Sequence, residues 1–241
     1  MLPTINRMII AIIPARGGSK RIPRKNLRSF AGKPIMVYSI EACRESRLFD
    51  RIVVSTDDAE IAATARAYGA ETPFMRPAEL SDDFTGTHAV AAHALAALVD
   101  PSDLDDTVAC CLYPTAPFVT ADDLRRGYDL LECSGKSFVF AAATFAFPIQ
   151  RALRALPDGG VAPFFPQWVE CRSQDLEECC HDAGQFYWGH ARAFCDGLPA
   201  FGSHAAAMLL PRYRVMDIDT PEDWTQAELM YAALAGMKRS A

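Results

Sequence analysis

The chain contains no long apolar run. Half of its 241 residues are hydrophobic, yet every apolar stretch falls far short of the roughly 20 residues that a membrane-spanning helix requires. Its first residues also lack the small-residue cleavage site of a secretory signal peptide. We therefore expect neither a membrane segment nor a membrane partner.

Cysteine spacings that bind zinc or build a disulfide framework are missing as well. The eight cysteines include no Cys-x-x-Cys pair, and structural zinc ligands are usually spaced by two or more residues. Cys110 and Cys111 lie in an apolar run and are expected to be buried thiols. This cysteine usage is typical of a protein of the reducing cytoplasm.

Positive charge is scarce overall but concentrated in one place. The chain has 24 Lys and Arg against 30 Asp and Glu, a net charge of −6, and seven of the basic residues fall between positions 16 and 33. No second basic stripe or interleaved aromatic series accompanies them, so we expect no nucleic-acid partner. A solvated basic surface is the plain alternative to a binding site.

The basic residues follow an apolar run at positions 8–13 and occupy a loop punctuated by Gly and Pro. The loop has neither the Walker pattern nor the Gly-x-Gly-x-x-Gly fingerprint. Backbone N–H groups of a glycine turn at the end of a strand can nevertheless approach phosphate closely, and Arg and Lys neutralise its charge. The pattern therefore favours a small phosphorylated ligand at the carboxyl end of a strand.

Strands and helices alternate along most of the chain. The predicted strands cover residues 8–13, 51–55, 107–113, 137–144, 185–189 and 212–218. The predicted helices cover residues 34–46, 59–68, 87–99, 121–133, 191–196 and a final helix from Pro221 to about Met237. This order predicts a single α/β domain over residues 1–241, with a doubly wound, mostly parallel sheet whose ligands bind at the carboxyl edge.

The alternation of strands and helices is interrupted between residues 145 and 182. Helical periodicity fades there, and Pro and Gly recur, which is typical of hairpins and loops. We expect an inserted subdomain in this segment.

Two carboxylates lie at the end of the last predicted strand. Asp217 and Asp219 are two residues apart, so on an extended segment they point to the same side. Paired acidic oxygens suit Mg²⁺. The alternative is that Asp219 caps the helix that begins at Pro221 while Asp217 is a surface charge. An upstream phosphate loop makes metal binding the better interpretation.

Several motifs together resemble those of a known family. The strings are IIPARGGSKRIPRKN (12–26), STDD (55–58), RPAEL (76–80), PTAPF (114–118), RSQDL (172–176) and DIDTPEDW (217–224). They resemble the cytidylyltransferases that make CMP-linked nonulosonic acids such as sialic acid, and the resemblance covers residues 9 to about 233. Within that family, YPTAPF, FPIQRA and DAGQFYWG are most similar to the pseudaminic acid branch.

The resemblance implies a Rossmann-like nucleotide-diphospho-sugar transferase fold and a reaction. CTP and a free 2-keto sugar acid would give the CMP-sugar and pyrophosphate, with Mg²⁺ as cofactor. It also implies a homodimer in which the segment 145–182 makes the contact and sends residues into the partner's site. A CMP-legionaminate or CMP-N-acetylneuraminate synthetase, a transferase for another base and a non-catalytic nucleotide-binding module remain alternatives.

The resemblance also assigns roles to individual residues. Arg16, Lys25, Asp217 and Asp219 would be catalytic, and the two aspartates would bind the metal. The nucleotide would contact Ala15, Arg16, Gly17, Gly18, Lys25, Asn26, Arg76, Thr87 and Tyr113. The sugar acid would contact Gln150, Arg151, Arg172, Gln174, Gln185, Phe186 and Tyr187.

Two departures concern the sugar. Sialic acid synthetases generally carry Gln where this chain has Tyr113, and a Gly-Ala-Ile-Tyr-like segment near Gln185 and Tyr187. These differences count against N-acetylneuraminate itself and favour a related sugar acid.

Overall fold

The computed structural model describes residues 7–239, so the outermost bounds of the predicted domain lie outside the described residues. Its strands are β1 (Met8–Pro14), β2 (Ser29–Phe30), β3 (Lys33–Pro34), β4 (Arg51–Ser55), β5 (Thr107–Leu112), β6 (Phe138–Thr144), β7 (Leu153–Ala155), β8 (Val161–Pro163), β9 (Cys180–His190) and β10 (Ala205–Leu209). Its helices are α1 (Ile35–Ser46), α2 (Ala59–Ala67), α3 (Thr87–Leu98), α4 (Ala121–Ser134), α5 (Ala191–Cys195) and α6 (Pro221–Arg239). Between residues 7 and 239, no helix has the length and apolar character to cross a membrane.

The central sheet has the strand order β10-β6-β9-β5-β1-β4. β1 pairs in parallel with β4 and β5, and β6 pairs in parallel with β10. β9 runs antiparallel between β5 and β6. The predicted α/β fold with a mostly parallel sheet is therefore confirmed, with one reversed strand near its middle.

The predicted strand at residues 212–218 is wrong. Arg212–Arg214 forms a short 3₁₀ turn, and the residues up to Asp219 have no regular structure. The edge position belongs to β10, which was not predicted because its sequence, AAAML, has weak strand preference. An edge strand needs few packed side chains, and β10 forms through backbone pairing with β6.

The reversed strand is longer than predicted. β9 begins at Cys180, and its first residues pair with the end of β6 after an irregularity between Phe140 and Ala142. The predicted inserted segment therefore gives its last three residues to the central sheet. Its remainder contains the short β7–β8 hairpin and 3₁₀ turns.

Apolar layers cover both faces of the sheet. In β1, Ala11 and Ile13 face a cluster that contains side chains of α1, α2 and α4. Ile10 and Ile12 face a second cluster, formed with α3 and α5. Because both faces are buried, the strand is apolar throughout. The two adjacent cysteines of β5 are fully buried, as expected, and burial raises the pKa of Cys111 to about 12.

A third apolar cluster joins the basic loop to the last helix. Phe30 packs edge-on against Trp224 of α6, with ring centroids 5.5 Å apart. Ile22 of the loop and Ile218, which lies between the two candidate metal ligands, are buried in the same cluster. This packing fixes the start of α6 against the loop that follows β1.

We expect Gly127→Ala to destabilise the protein by about 1–3 kcal/mol, because the added methyl overpacks the core. Gly127 lies on α4, where a Cβ would be 2.7 Å from Cδ1 of Trp188 and 3.0 Å from Cε2 of Phe186. The free energy of unfolding in urea measures the effect. The matched control is Gly236→Ala on α6, where none of the described residues comes within 4 Å of an added Cβ. Equal effects of the two substitutions would contradict the packing argument.

Candidate active site

A cleft of about 340 Å³ opens where β1 and β5 end. Parallel strands place their carboxyl ends, and the loops that follow, at one edge of the sheet. Eight predicted site residues line the cleft: Arg16, Lys25, Asn26, Arg76, Thr87, Tyr113, Asp217 and Asp219. Residues from the two ends of the chain thus meet in one place.

The start of the basic loop is held from both sides. The backbone N–H of Gly17 donates to Oδ1 of Asp57 at 2.9 Å, and Nδ2 of buried Asn26 donates to the carbonyl of Arg16 at 2.9 Å. A Cβ on Gly17 would lie 2.8 Å from Oδ2 of Asp58, so this close approach requires glycine. Asn26 accordingly supports the loop.

The neighbouring predicted nucleotide contacts differ in exposure. Ala15 is fully buried, and its backbone N–H continues the ladder to the carbonyl of Ser55 at 2.9 Å. Gly18 has open space where a Cβ would stand. Ala15, Gly17 and Gly18 are not among the described residues that line the cleft, and the N–H groups of Ala15 and Gly17 already have partners.

The two cations predicted to be catalytic are each held by acidic residues. Arg16 lies 2.7 Å from Oδ1 of Asp83 and donates to the carbonyl of Asp82. Lys25 donates from Nζ to the carbonyl of Ile218 at 2.7 Å and to Oδ1 of Asp219 at 3.2 Å. Asp82 and Asp83 also line the cleft.

The candidate metal ligands lie close to one another. Burial raises the pKa of Asp217, and the charge of Asp219 raises it further, against the opposing effect of Lys25 and Arg21. Arg21 lies 2.8 Å from Oδ2 of Asp219. A buried carboxyl group beside a second carboxylate forms a site where a cation is favoured. Their hard oxygen donors fit Mg²⁺.

The capping alternative for Asp219 is wrong. At the start of α6, Oγ1 of Thr220 accepts from the backbone N–H of Asp223 at 3.2 Å. The carboxylate of Asp223 in turn accepts from the backbone N–H groups of Asp219 and Thr220. The side chain of Asp219 is thus left to the cleft.

A buried guanidinium group lies in the same cleft. The side chain of Arg76 is 3% exposed, and its nearest acid, Asp57, is 3.8 Å away. Within residues 7–239, Nε and one terminal nitrogen of Arg76 have no hydrogen-bond partner. Burial lowers the pKa of Arg76, and the charge of Arg16 adds to this effect. These unpartnered donors fit an oxygen-rich ligand.

The predicted sugar-binding residues are not among the described residues that line the cleft. Gln150 donates to the carbonyl of Glu177 at 2.9 Å, and Arg151 donates to the carbonyl of Cys171. Arg172 pairs with Asp175 at 2.7 Å. Gln174 lines a separate cleft of about 230 Å³ on the inserted segment.

The three predicted sugar contacts on β9 are buried. Nε2 of Gln185 donates to the carbonyl of Arg214 at 2.7 Å, and Phe186 belongs to the core. Tyr187 packs beside Tyr113, with ring centroids 5.8 Å apart. Through this contact, Tyr187 touches a residue of the cleft wall.

Sequence reasoning missed several contributors to the cleft. Arg21, Asp82, Asp83 and Thr85 line it, and Asp57 holds the loop. Asp57 had a visible signal, because two aspartates follow β4 and a helix needs only one cap. The cap is Asp58, whose carboxylate accepts from the backbone N–H groups of Glu60 and Ile61.

Comparison with known proteins identifies the family. A family model described as cytidylyltransferase matches residues 10–145. The chain belongs to the cytidylyltransferase family. The matched region begins in β1 and ends just after β6, so it includes the basic loop, Arg76 and Tyr113.

Two curated relatives of this cytidylyltransferase match nearly its whole length. The pseudaminic acid cytidylyltransferase of Campylobacter jejuni is 44% identical over 222 residues, covering 92% of this chain and 95% of the relative. The CMP-N,N'-diacetyllegionaminic acid synthase of Legionella pneumophila is 31% identical over 240 residues, covering 91% and 94%.

A solved structure supports the fold. The CMP:2-keto-3-deoxy-manno-octonic acid synthetase complexed with CTP superposes with a TM-score of 0.67, covering 94% of this chain and 99% of the other. The two sequences are 15% identical, so this similarity concerns the architecture alone. The predicted nucleotidyltransferase fold is confirmed.

We expect Arg76→Met to stabilise the unliganded protein by about 1–2 kcal/mol, because it removes a buried charge that lacks close partners. The same substitution should weaken CTP binding at least about tenfold through the lost charged donors. Urea unfolding and calorimetric titration of CTP measure the two effects. Arg126→Met is the control, since that side chain is half exposed on α4. A loss of both stability and affinity would contradict this account of Arg76.

Proposed function

We propose that this cytidylyltransferase converts CTP and pseudaminic acid to CMP-pseudaminic acid and pyrophosphate. The observation that carries the proposal is the 44% identity, across nearly the whole chain, to a relative of that name. The cleft supports it, because cations and paired carboxylates from distant parts of the sequence converge there.

The basic loop would hold the triphosphate of CTP. Arg16 and Lys25 are already paired with carboxylates, so phosphate oxygens would replace those acids as partners. Transfer of a nucleotidyl group needs positioning and charge neutralisation more than covalent chemistry. Cations that meet the negative charge developing on pyrophosphate lower the barrier to its departure.

The aspartates would hold Mg²⁺. Asp217 and Asp219 supply hard oxygen ligands, and a divalent cation would offset the burial and the charge of Asp219 that raise the pKa of Asp217. When bound, the metal supplies Lewis-acid polarisation of a phosphate oxygen and lowers the pKa of a coordinated hydroxyl.

The remaining cleft residues would orient the two substrates. The buried guanidinium of Arg76 would donate to acceptor oxygens of the cytidine moiety, while Thr87 and Tyr113 form part of the wall. With both substrates held in line, the anomeric hydroxyl of the sugar acid attacks the α-phosphorus and pyrophosphate leaves. Holding two reactants close together in the reactive orientation supplies much of the rate enhancement in such reactions.

We also propose a homodimer that completes the sugar site. The inserted segment carries exposed apolar side chains that a partner would cover: Phe147, Leu153, Val161, Phe164, Trp168 and Val169. Apolar patches of this kind are typical of protein interfaces. The predicted sugar contacts Gln150, Arg151, Arg172 and Gln174 lie on the same segment, from which they would reach the partner's cleft.

We place the enzyme in the cytoplasm, a location supported by cysteines that are free in this structure.

Pyrophosphate release tests the proposed reaction. With CTP and Mg²⁺, we expect release with pseudaminic acid at least about tenfold faster than with legionaminic or N-acetylneuraminic acid, because one mispaired polar contact costs about that much. Asp219→Ala should reduce turnover by at least about a hundredfold while the fold persists, since Lys25 keeps its bond to the carbonyl of Ile218. Release with another sugar acid alone would support the cytidylyl transfer but contradict pseudaminic acid as the substrate. CTP binding without release from any acid would support the non-catalytic alternative.

Light scattering after gel filtration tests the dimer. We expect Phe164→Glu to yield monomers, because it puts a charge into the proposed interface. Leu229→Glu is the control, as Leu229 is also an exposed apolar residue but lies on α6.

Mixed chains test whether the sites are shared. An equimolar mixture of Lys25→Ala and Arg151→Ala chains should recover about a quarter of wild-type sites, because half of the dimers then contain one intact site. A monomeric wild type, or dimers without recovery, would contradict shared sites.

A further inference from the structure

The segment that carries the two candidate metal ligands has no regular structure between Val215 and Asp219. In the described part of the chain, the backbone N–H groups from Val215 to Ile218 make one hydrogen bond, which runs from Val215 to the carbonyl of Arg212 at 3.1 Å. Because this bond connects neighbouring residues, it does not fix Asp217 and Asp219 relative to the cleft. Their place must come from side-chain contacts of the residues around them.

Arg214 precedes Asp217 by three residues and connects this segment to other elements. Its guanidinium group donates to both carboxylate oxygens of Asp123 on α4, one of them at 3.2 Å, and to the carbonyl of Phe118 at 3.0 Å. Its carbonyl accepts from Nε2 of Gln185 on β9 at 2.7 Å. The side chain of Asp123 is 1% exposed and that of Arg214 is 19% exposed, so water competes little for these bonds.

Two of these partners belong to the wall of the cleft. Phe118 closes the turn at 114–118, whose first two residues line the cleft. The carbonyl of Gln185 accepts from the backbone N–H of Tyr113 at 2.8 Å, and Tyr113 also lines the cleft. A guanidinium group is planar and presents its donors in a rigid fork, so it fixes direction as well as distance. Arg214 therefore holds the start of the segment against this wall.

We propose that Arg214 is a positioning residue that holds Asp217 and Asp219 where both carboxylates can bind one divalent cation. The inference rests on the proposed function, which assigns Mg²⁺ to these aspartates. After Asp217, the chain is fixed again, because Nζ of Lys25 donates to the carbonyl of Ile218 at 2.7 Å and Ile218 is fully buried. Asp217 thus lies between two fixed points, with Arg214 before it and Ile218 after it.

A double variant, Asp123→Asn with Arg214→Met, isolates the positioning role. Arg214→Met alone leaves the buried carboxylate of Asp123 without its closest charged partner, which lowers stability. The double variant removes both charges and leaves the net charge unchanged. Asn also keeps an oxygen for the backbone N–H of Thr120, from which Asp123 accepts at 3.0 Å. We expect the double variant to unfold at nearly the same urea concentration as the wild type, and Arg214→Met to unfold at a lower one.

Titration with Mn²⁺ alone, without CTP, measures the effect on the metal ligands. Mn²⁺ accepts the carboxylate ligands that suit Mg²⁺, and electron paramagnetic resonance gives its free concentration. We expect Arg214→Met and the double variant to bind Mn²⁺ at least about tenfold more weakly than the wild type, a loss typical of removing the support of a metal ligand.

Arg126→Met is the matched control. Arg126 lies 3.8 Å from Oδ1 of the same Asp123 carboxylate, but it belongs to α4 and is half exposed. Its loss should change Mn²⁺ affinity by less than about twofold, because exposed ion pairs contribute little. Arg214→Lys is a milder test, since it keeps a positive charge beside Asp123 but loses the rigid fork. It should unfold near the wild-type urea concentration and still bind Mn²⁺ more weakly.

Stability and metal affinity together distinguish positioning from a general structural role. If Arg214 only stabilises the fold, the double variant should regain the Mn²⁺ affinity of the wild type together with its stability, and this result overturns the proposal. Wild-type Mn²⁺ affinity in Arg214→Met or Arg214→Lys overturns it as well.

Asp219→Ala separates failure of this inference from failure of the proposed function. If Asp219→Ala weakens Mn²⁺ binding and the Arg214 variants do not, only the role of Arg214 is overturned. If Asp219→Ala leaves Mn²⁺ binding unchanged, the proposed metal site is wrong and the role of Arg214 falls with it. A wild type that binds Mn²⁺ through Asp219 but releases no pyrophosphate contradicts the proposed reaction alone. The Mn²⁺ affinities still decide the role of Arg214 in that case.

Discussion

The ammonium group of Lys25 joins the two oppositely charged parts of the cleft. It bonds to the carbonyl of Ile218 and to the carboxylate of Asp219, 193 and 194 residues further along the chain. Each part alone gathers charges of one sign, which repel. The apolar cluster around Phe30 and Trp224 lies beneath this contact and holds the segments together. The geometry of the cleft depends on the contacts of Lys25 together with this apolar cluster.

The cleft keeps charges in unfavourable surroundings. The guanidinium of Arg76 is buried without close partners, and the carboxyl of Asp217 has a raised pKa beside Asp219. Such groups lower the stability of the free protein, and they persist in proteins where ligands supply the missing partners. Arg76 is an incompletely neutralised positive charge, whereas Asp217 is a carboxyl group beside another negative charge. Ligands that combine an anionic phosphate with a cation suit both groups.

Local patterns predicted the parts of the fold that local interactions determine. β1 and the loop after it were predictable, because a strand buried on both faces is apolar throughout and because clustered charge is visible in sequence. β10 was missed because alanine has little preference for strands, and this strand forms through its backbone pairing with β6. The segment 212–218 was mistaken for a strand because Val215, Met216 and Ile218 are apolar, yet Ile218 packs against α6.

The candidate site divides in the same way. Cleft residues that follow β1 and β5 were predicted, whereas Asp82 and Asp83 were not. Arg16 donates to the carbonyl of Asp82 and, with Lys20, pairs with the carboxylate of Asp83, and these contacts depend on the path of an irregular loop. Residues predicted to contact sugar on the inserted segment lie apart from this chain's cleft. Their prediction came from resemblance, which also implied that this segment reaches the site of a partner chain.

The position of β9 has a consequence for how the chain folds. β5 and β6 are separated by this strand, so one edge of each stays without its partner until residue 190 has been synthesised. β1, β4 and β5 can pair earlier, while β6 must wait for two later strands. Exposed strand edges invite pairing with other chains. The nascent protein is therefore most vulnerable to aggregation between the completion of β6 and the arrival of β9, and chaperones would be needed most during that interval.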